Sequence, residues 1–174
     1  MSAADTLGTH TADWHTPGWL VELVSTSLGG IGLDPCADAE HRVPALQHFT
    51  VKEDGLAQRW AAESVFVNPP YSRGLIQKWV VMFFSQYACG NFQRGWLLLP
   101  NDTDTTWFRG IWKQADAVVF LYGRVQFEAG AGQVVSSNRG GSVLAYVGDS
   151  IRARVLPMVP YGKVLILGGK EVNG

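Results

Sequence analysis

Residues 65–72 read Val-Phe-Val-Asn-Pro-Pro-Tyr-Ser, and they constrain the fold more than any other stretch of this 174-residue chain. Three consecutive apolar residues indicate a strand buried on both faces, as in a parallel sheet. Because proline lacks an N–H group and fixes φ, this strand must end at Asn68. Tyr71 then lies on a loop beyond the C-terminal end of the strand, which is the edge at which open α/β sheets bind ligands.

The residues after the strand suit a planar amine. Asn68 offers a side-chain carbonyl, and Pro69 offers a main-chain carbonyl with no competing N–H group. Two adjacent acceptors match the two protons of an exocyclic –NH2 group, and Tyr71 adds a flat face for stacking. The alternative is a strand followed by a turn, because Asn-Pro commonly opens turns. The buried strand before the motif and the aromatic residue after it favour a binding site.

Further segments extend this pattern in a fixed order. They are Trp14-His15-Thr16-Pro17, Leu33-Asp34-Pro35-Cys36-Ala37, Asp54-Gly55-Leu56 with Trp60, Leu99-Pro100, residues 103–108 and Gly123-Arg124-Val125-Gln126-Phe127. With Asn-Pro-Pro-Tyr, this series resembles the small phage-type DNA N6-adenine methyltransferases over about residues 14–147. The resemblance implies S-adenosylmethionine as cofactor, DNA as partner, and Asn68, Pro69, Pro70 and Tyr71 as the catalytic residues.

The resemblance also implies a set of cofactor-binding residues. They are Thr16, Pro17, Asp34, Pro35, Ala37, Asp38 and Asp54. Thr16 and Pro17 would lie against the methionine end of the cofactor, and Asp34 would face its ammonium and sulfonium charges. Small Ala37 would allow close approach, and Asp38 and Asp54 would face the ribose and adenine.

The residues themselves leave other interpretations of these segments open. Thr16 followed by Pro17 is typical of a capped helix start. Asp-Pro at residues 34–35 and Asp-Gly at residues 54–55 are common turns. The Gly-x-Gly loop usual in methyltransferases is replaced by Cys-Ala-Asp at residues 36–38, so the cofactor contacts must differ there.

Candidate substrate-binding residues lie at the same predicted edge of the sheet. They are Tyr71, Ser72, Thr103, Trp107, Arg124 and Arg139. The threonines near residue 103 could help to shape the substrate pocket, but capping of the next helix is the safer interpretation. Residues 122–142 fit either a mobile surface loop or a hairpin whose arginines contact DNA phosphates or bases.

Charge and cysteine content restrict the partners. With a formal net charge of −1, the chain has no general attraction for DNA and must use a local basic patch. Cys36 and Cys89 have no ligand spacing around them, so we expect free thiols and no metal site. No membrane-length apolar run or N-terminal signal is present, which predicts a soluble intracellular protein, in the host cytoplasm if phage-encoded. The oligomeric state stays open, a homodimer included.

Alternating apolar strands and helices predict an α/β fold, a three-layer sandwich with a mostly parallel sheet. The resemblance implies a Rossmann-like methyltransferase fold with an antiparallel last strand. We expect one minimal domain over residues 14–174 after a flexible tail at residues 1–13. A short helix containing Trp60 and a terminal hairpin within residues 155–167 are also predicted.

The combined prediction is methylation of adenine N6 in DNA, by in-line transfer to an amino group held by Asn68 and the Pro69 carbonyl. Two alternatives stay open. Asn-Pro-Pro-Tyr also serves methylation of glutamine amides in proteins. A catalytically inactive nucleic-acid-binding module could use the same fold, and the missing glycine loop favours that alternative.

Overall fold

The computed structural model describes residues 15–72, 74–129, 133–135 and 140–167. The α-helices found there are α1 (Gly18–Leu28), α2 (Leu75–Ala88), α3 (Thr106–Gln114) and α4 (Ile151–Val155). The strands are β1 (Ile31–Asp34), β2 (Ala45–His48), β3 (Ser64–Val67), β4 (Arg94–Pro100), β5 (Ala117–Leu121), β6 (Phe127–Ala129), β7 (Gln133–Val135), β8 (Ser142–Gly148) and β9 (Gly162–Ile166). Short 3-10 helices span Gly55–Ala57 and Leu156–Met158.

Seven strands form a mixed sheet in the order β2-β1-β3-β4-β8-β5-β9. Strands β2, β1, β3 and β4 are parallel. Strand β8 lies antiparallel between β4 and β5, so β5 runs in the same direction as β4. The sheet is therefore mixed, with three parallel and three antiparallel pairings, rather than the mostly parallel sheet that was predicted, and β9 adds a second antiparallel strand at one edge.

The terminal segment differs from its prediction. Strand β9 pairs with β5 rather than with a strand next to it in sequence, so the expected hairpin in residues 155–167 was wrong. The preceding residues turn through the 3-10 helix Leu156–Met158, which has a proline in its first turn. Gly162 allows the close pairing, because a Cβ there would lie 2.5 Å from the carbonyl oxygen of Phe120.

The hydrophobic core consists of two clusters of side chains, one on each face of the sheet. Phe66 and Trp96 point into a cluster that contains Leu20 of α1, whereas Val65 and Val67 join Phe83 of α2 in the other. This alternation places helices on both faces of the sheet. All four residues of β3 are buried, which confirms the doubly buried strand expected from residues 65–67.

The short helix predicted around Trp60 is absent. The 3-10 helix Gly55–Ala57 ends before this residue, and Trp60 lies in a segment without regular secondary structure. Its indole Nε1 donates to the carbonyl of Gly55 at 2.8 Å, and its backbone N donates to Oε1 of Gln86 at 3.0 Å. A buried Trp usually finds a partner for its indole N–H group, and here that partner is the carbonyl of Gly55.

The topology gathers several loops at one edge of the sheet. Parallel strands β1, β3, β4 and β5 all end there, and antiparallel β8 begins there. The β6–β7 hairpin is inserted between β5 and β8 and so starts from the same edge. The candidate residues that follow these strands are therefore brought to one side of the molecule.

Candidate active site

Asn68 directly follows the last residue of β3 and is half-buried. Its side-chain Nδ2 donates to Oγ1 of Thr16 at 3.0 Å. Within the described part of the chain, Oδ1 accepts no hydrogen bond. An amide whose nitrogen is engaged and whose oxygen is available can accept a hydrogen bond from a ligand.

The two prolines after Asn68 reinforce this arrangement. Pro69 is buried and Pro70 half-buried, and neither has an N–H group. No described residue donates to the carbonyl of Pro69. Exposed Ser72 anchors the loop, because its carbonyl accepts from the backbone N of Leu75 and Ile76 at 3.1 and 3.4 Å. The motif thus joins β3 to α2, and among the described residues neither Oδ1 of Asn68 nor the carbonyl of Pro69 accepts a hydrogen bond.

Tyr71 lies where the two core clusters meet at the sheet edge, and it packs against both. Its ring meets that of Phe127 edge to face, with centroids 6.1 Å apart. Its hydroxyl lies 3.5 Å from the carbonyl oxygen of Leu98. Burial raises the pKa of Tyr71 well above its usual range, so the phenol is neutral at physiological pH. The side chain is suited to contact with a ring and not to proton abstraction.

The predicted capping role of Thr16 was wrong. Helix α1 begins at Gly18, and Pro17 is its N-cap without a side-chain capping bond. The Thr16 hydroxyl is instead hydrogen-bonded to Asn68, a contact that sequence reasoning missed. No local pattern reveals it, because the two residues are 52 positions apart.

His15 ties the same segment to two further elements. Its backbone N and O form hydrogen bonds of 2.8 and 3.1 Å with Glu128 of β6. Its ring Nδ1 lies 3.7 Å from Oδ2 of Asp38. The segment of residues 15–17 therefore contacts the hairpin, the loop after β1 and Asn68.

Asp34 is the last residue of β1 and is buried. Its Oδ1 accepts from the backbone N of Cys36 at 3.0 Å. Burial raises the pKa of Asp34 to about 7; the Cys36 hydrogen bond and His48 oppose this rise, and the charge of Asp38 adds to it. A buried carboxylate at this edge would be stabilised by a cationic ligand. The ammonium and sulfonium of S-adenosylmethionine fit this requirement.

The loop after Asp34 is held close to the 3-10 helix. Pro35 and Ala37 are buried, and the backbone N of Ala37 donates to the carbonyl of Phe49 at 2.9 Å. A Cβ on Gly55 would lie 1.9 Å from the carbonyl oxygen of Pro35, so only glycine fits there. Sequence reasoning took this glycine for a turn residue and missed its contact with the predicted cofactor loop.

The two remaining acidic candidates make local contacts. Asp38 Oδ1 accepts from the backbone N of Glu40 at 2.7 Å. Asp54 is exposed, and its Oδ1 accepts from the backbone N of Leu56 at 3.2 Å, which caps the 3-10 helix. Asp38 lies two residues beyond Cys36 and shares the loop of Asp34, whereas Asp54 is a capping residue on the surface.

The substrate candidates beyond the Asn-Pro-Pro-Tyr motif include Thr103 and Arg124, which lie in loops at the same edge, and Trp107, which lies in the first turn of α3. Thr103 is exposed, and the residue that caps α3 is Thr105, whose Oγ1 accepts from the backbone N of Phe108. Trp107 is half-buried and packs on the core. Arg124 is exposed between β5 and β6, whereas Arg139 lies outside the described residues.

Two surface features complete the description. A shallow groove of about 390 Å³ runs beside α1 and is lined by residues that include Thr16, Glu22 and Arg42, but not Asn68 or Tyr71. Among the described residues, no group of three or more His, Cys, Asp or Glu side chains is placed to hold a metal ion. In the same part of the chain, no helix is long and apolar enough to span a bilayer.

Comparison with known proteins places the chain in a family. The sequence pattern of the family described as DNA N-6-adenine-methyltransferase (Dam) matches residues 4–159, which is most of the chain. A curated protein of Haemophilus phage HP1 (strain HP1c1), named DNA N-6-adenine-methyltransferase, is 28% identical over 109 residues. That match covers 62% of this chain and 61% of the phage protein, so the chain spans about three fifths of its relative's length. No solved structure gives a significant match. The chain belongs to the DNA N-6-adenine-methyltransferase (Dam) family.

Proposed function

We propose that this protein transfers a methyl group from S-adenosylmethionine to N6 of adenine in DNA. The observation that carries the proposal is the amide of Asn68 at the end of β3, with Nδ2 bonded to Thr16 and Oδ1 available. The family and the name of the phage relative support the same reaction. The two core clusters on opposite faces of the sheet support a three-layer, Rossmann-like methyltransferase domain over residues 14–174.

The chemical task is to make a poor nucleophile react. The lone pair of the adenine amine is delocalised into the ring, so the planar –NH2 group attacks weakly. Asn68 Oδ1 and the Pro69 carbonyl accept hydrogen bonds from its two N–H groups, which favours a tetrahedral nitrogen whose lone pair points out of the ring plane. Orientation of this kind is worth ~7–11 kcal/mol in favourable cases.

No strong base is required before transfer, because the methylated product is acidic enough to lose a proton to water afterwards. Asn68 and Pro69 therefore act by position and Tyr71 by stacking. The result is an in-line transfer that depends on geometry more than on acid–base chemistry.

S-adenosylmethionine supplies an activated methyl group on a sulfonium when bound. Asp34 would hold its positive charges, and Ala37, whose small side chain is buried in the same loop, would allow close approach. Asp38 and the segment of residues 15–17 lie on the adjoining side, since His15 contacts Asp38. Asp54 would reach the cofactor from the surface.

An adenine in a duplex must leave its stack to reach Asn68. Stacking on an aromatic side chain is worth ~1–3 kcal/mol per base, and Tyr71 would take this role. Arg124, Thr103 and Ser72 are exposed at the same edge and would contact the nucleic acid. The low net charge makes such local contacts necessary.

The test supplies S-adenosylmethionine with a labelled methyl group to the protein together with a random-sequence DNA library and a protein extract. The expected product is N6-methyladenine in DNA, and the sequences around it give the recognition site. Label in protein glutamine instead of DNA would support the amide methyltransferase alternative. Failure to bind S-adenosylmethionine at millimolar concentration would support the inactive binding module.

A further inference from the structure

The orientation of the Asn68 amide matters for the proposed reaction. Its oxygen accepts hydrogen bonds and its nitrogen donates them, and rotation of the amide by 180° exchanges the two. An oxygen facing the adenine amine accepts a hydrogen bond, whereas a nitrogen in that place would set two donors against each other. An active site built on asparagine therefore benefits from a neighbour that holds the amide in place.

Thr16 is that neighbour in the described structure. Nδ2 of Asn68 donates to its hydroxyl oxygen at 3.0 Å, which turns Oδ1 to the opposite side of the amide. Among the described residues, the Asn68 side chain forms no other hydrogen bond. The Thr16 hydroxyl does not cap α1, because the N-cap of that helix is Pro17.

The backbone on both sides of Thr16 is fixed. His15 is paired with Glu128 through two backbone hydrogen bonds. Pro17 is buried with φ at −62°, and its carbonyl accepts from the backbone N of Leu20 at 2.9 Å. A hydroxyl held between two anchored residues can define the position of its partner with little loss of side-chain freedom.

We infer that Thr16 is a positioning residue for methyl transfer, because its hydroxyl accepts from Nδ2 and so presents Oδ1 of Asn68 to the adenine amine. This inference rests on the proposed function. It differs from the cofactor contact that the sequence implies for Thr16. A positioning role affects the rate of transfer at saturating cofactor, whereas a cofactor contact affects affinity.

The experiment compares Thr16→Val, which keeps the shape of the side chain without its hydroxyl, with Thr16→Ser, which keeps the hydroxyl. Thr26→Val makes the same exchange at an exposed site in α1 and is the matched control. Each variant is measured for single-turnover transfer at saturating S-adenosylmethionine and DNA, for the cofactor dissociation constant by calorimetry, and for melting temperature. Thr16→Ala replaces Thr16→Val should the latter fail to fold.

We expect Thr16→Val to slow transfer about 5- to 10-fold, the effect of losing one ordinary hydrogen bond, with the dissociation constant unchanged. Thr16→Ser should restore the rate, and Thr26→Val should behave as wild type. A rate of Thr16→Val equal to wild type at saturating cofactor overturns the inference and leaves the proposed function intact. A slow Thr16→Ser variant overturns it too, since the hydroxyl would then not be responsible. Absence of transfer by the wild-type protein overturns the proposed function, and the inference with it.

Discussion

The rings of Tyr71 and Phe127 meet edge to face, with their planes at 84° and their centroids 6.1 Å apart. Phe127 begins β6, and the next residue, Glu128, is paired with His15. Through Phe127, the hairpin contacts the Asn-Pro-Pro-Tyr loop directly. Through Glu128, it contacts the segment of residues 15–17, which is hydrogen-bonded to Asn68. Elements that follow β3 and β5 in the chain form one continuous surface at the sheet edge.

Tyr71→Ala should weaken DNA binding and spare cofactor binding. Loss of a stacking ring costs ~1–3 kcal/mol per base, so the dissociation constant for DNA should rise about 5- to 150-fold. Tyr71→Phe is the matched control, because it keeps the ring and loses only the long 3.5 Å contact with the Leu98 carbonyl. Fluorescence anisotropy with labelled DNA gives the dissociation constant of each variant for DNA. Equal weakening by the two variants would mean that the hydroxyl, not the ring, binds DNA.

Asp34→Asn should make the folded protein more stable and weaken its binding of the cofactor. The pKa of Asp34 is raised from 3.8 to about 7 in the folded protein, so the folded state binds its proton more tightly than the unfolded chain does. The free energy of unfolding therefore falls as pH rises from about 4 to 7. At pH 8 we expect the neutral variant to be more stable by roughly 1–3 kcal/mol, and this gain should shrink towards pH 5.

The same variant should bind S-adenosylmethionine at least about tenfold more weakly at pH 8, because a charge pair across a buried site is lost. Denaturant melts at the two pH values and calorimetry with the cofactor measure both effects. A variant that binds the cofactor as wild type would remove Asp34 from the site. A gain in stability that is equal at both pH values would show that ionisation of Asp34 is not its cause.

Gly55→Ala should destabilise the protein by about 2 kcal/mol or more, because the new methyl group would overlap the Pro35 carbonyl. The displaced loop carries Ala37, so cofactor affinity should fall as well. Gly110→Ala in α3 is the control, since its Cβ would make ordinary contacts and alanine favours a helix by ~1 kcal/mol. Thermal melts should therefore move in opposite directions for the two variants. A neutral Gly55→Ala would contradict the close packing.

Arg124→Gln should weaken DNA binding uniformly across sequences if the side chain contacts a phosphate. Each phosphate contact adds about 1 to the slope of log K against log salt, so the variant should lower that slope by about 1. Lys78→Gln, at an exposed position in α2, removes the same charge away from the loops that follow β5. An unchanged slope for Arg124→Gln would exclude it from the DNA contact.

The strand-and-loop skeleton of the site could be predicted from local sequence. A doubly buried strand that must stop before two prolines places Asn68 at the sheet edge, whatever the rest of the fold does. The apolar run and the chain-breaking residues lie within eight positions of each other, so no distant contact is needed for this inference.

The parts that failed depend on tertiary contacts. Thr16 looks like a helix cap because Pro17 follows it, yet its hydroxyl is bonded to Asn68. Gly55 looks like a turn residue, yet it is required by the carbonyl of Pro35. Trp60 lies outside the short helix, and its indole N–H is paired with the carbonyl of Gly55. In each case the partner is defined only once the chain has folded.

The account depends on the amide oxygen of Asn68, and Asn68→Ala tests it most directly. The measurement is single-turnover formation of N6-methyladenine in DNA at saturating S-adenosylmethionine, with calorimetry of cofactor binding alongside. Gln77→Ala, which removes an exposed amide from α2, is the control. We predict that Asn68→Ala abolishes transfer and leaves cofactor binding close to wild type. Transfer at the wild-type rate by this variant would contradict the account.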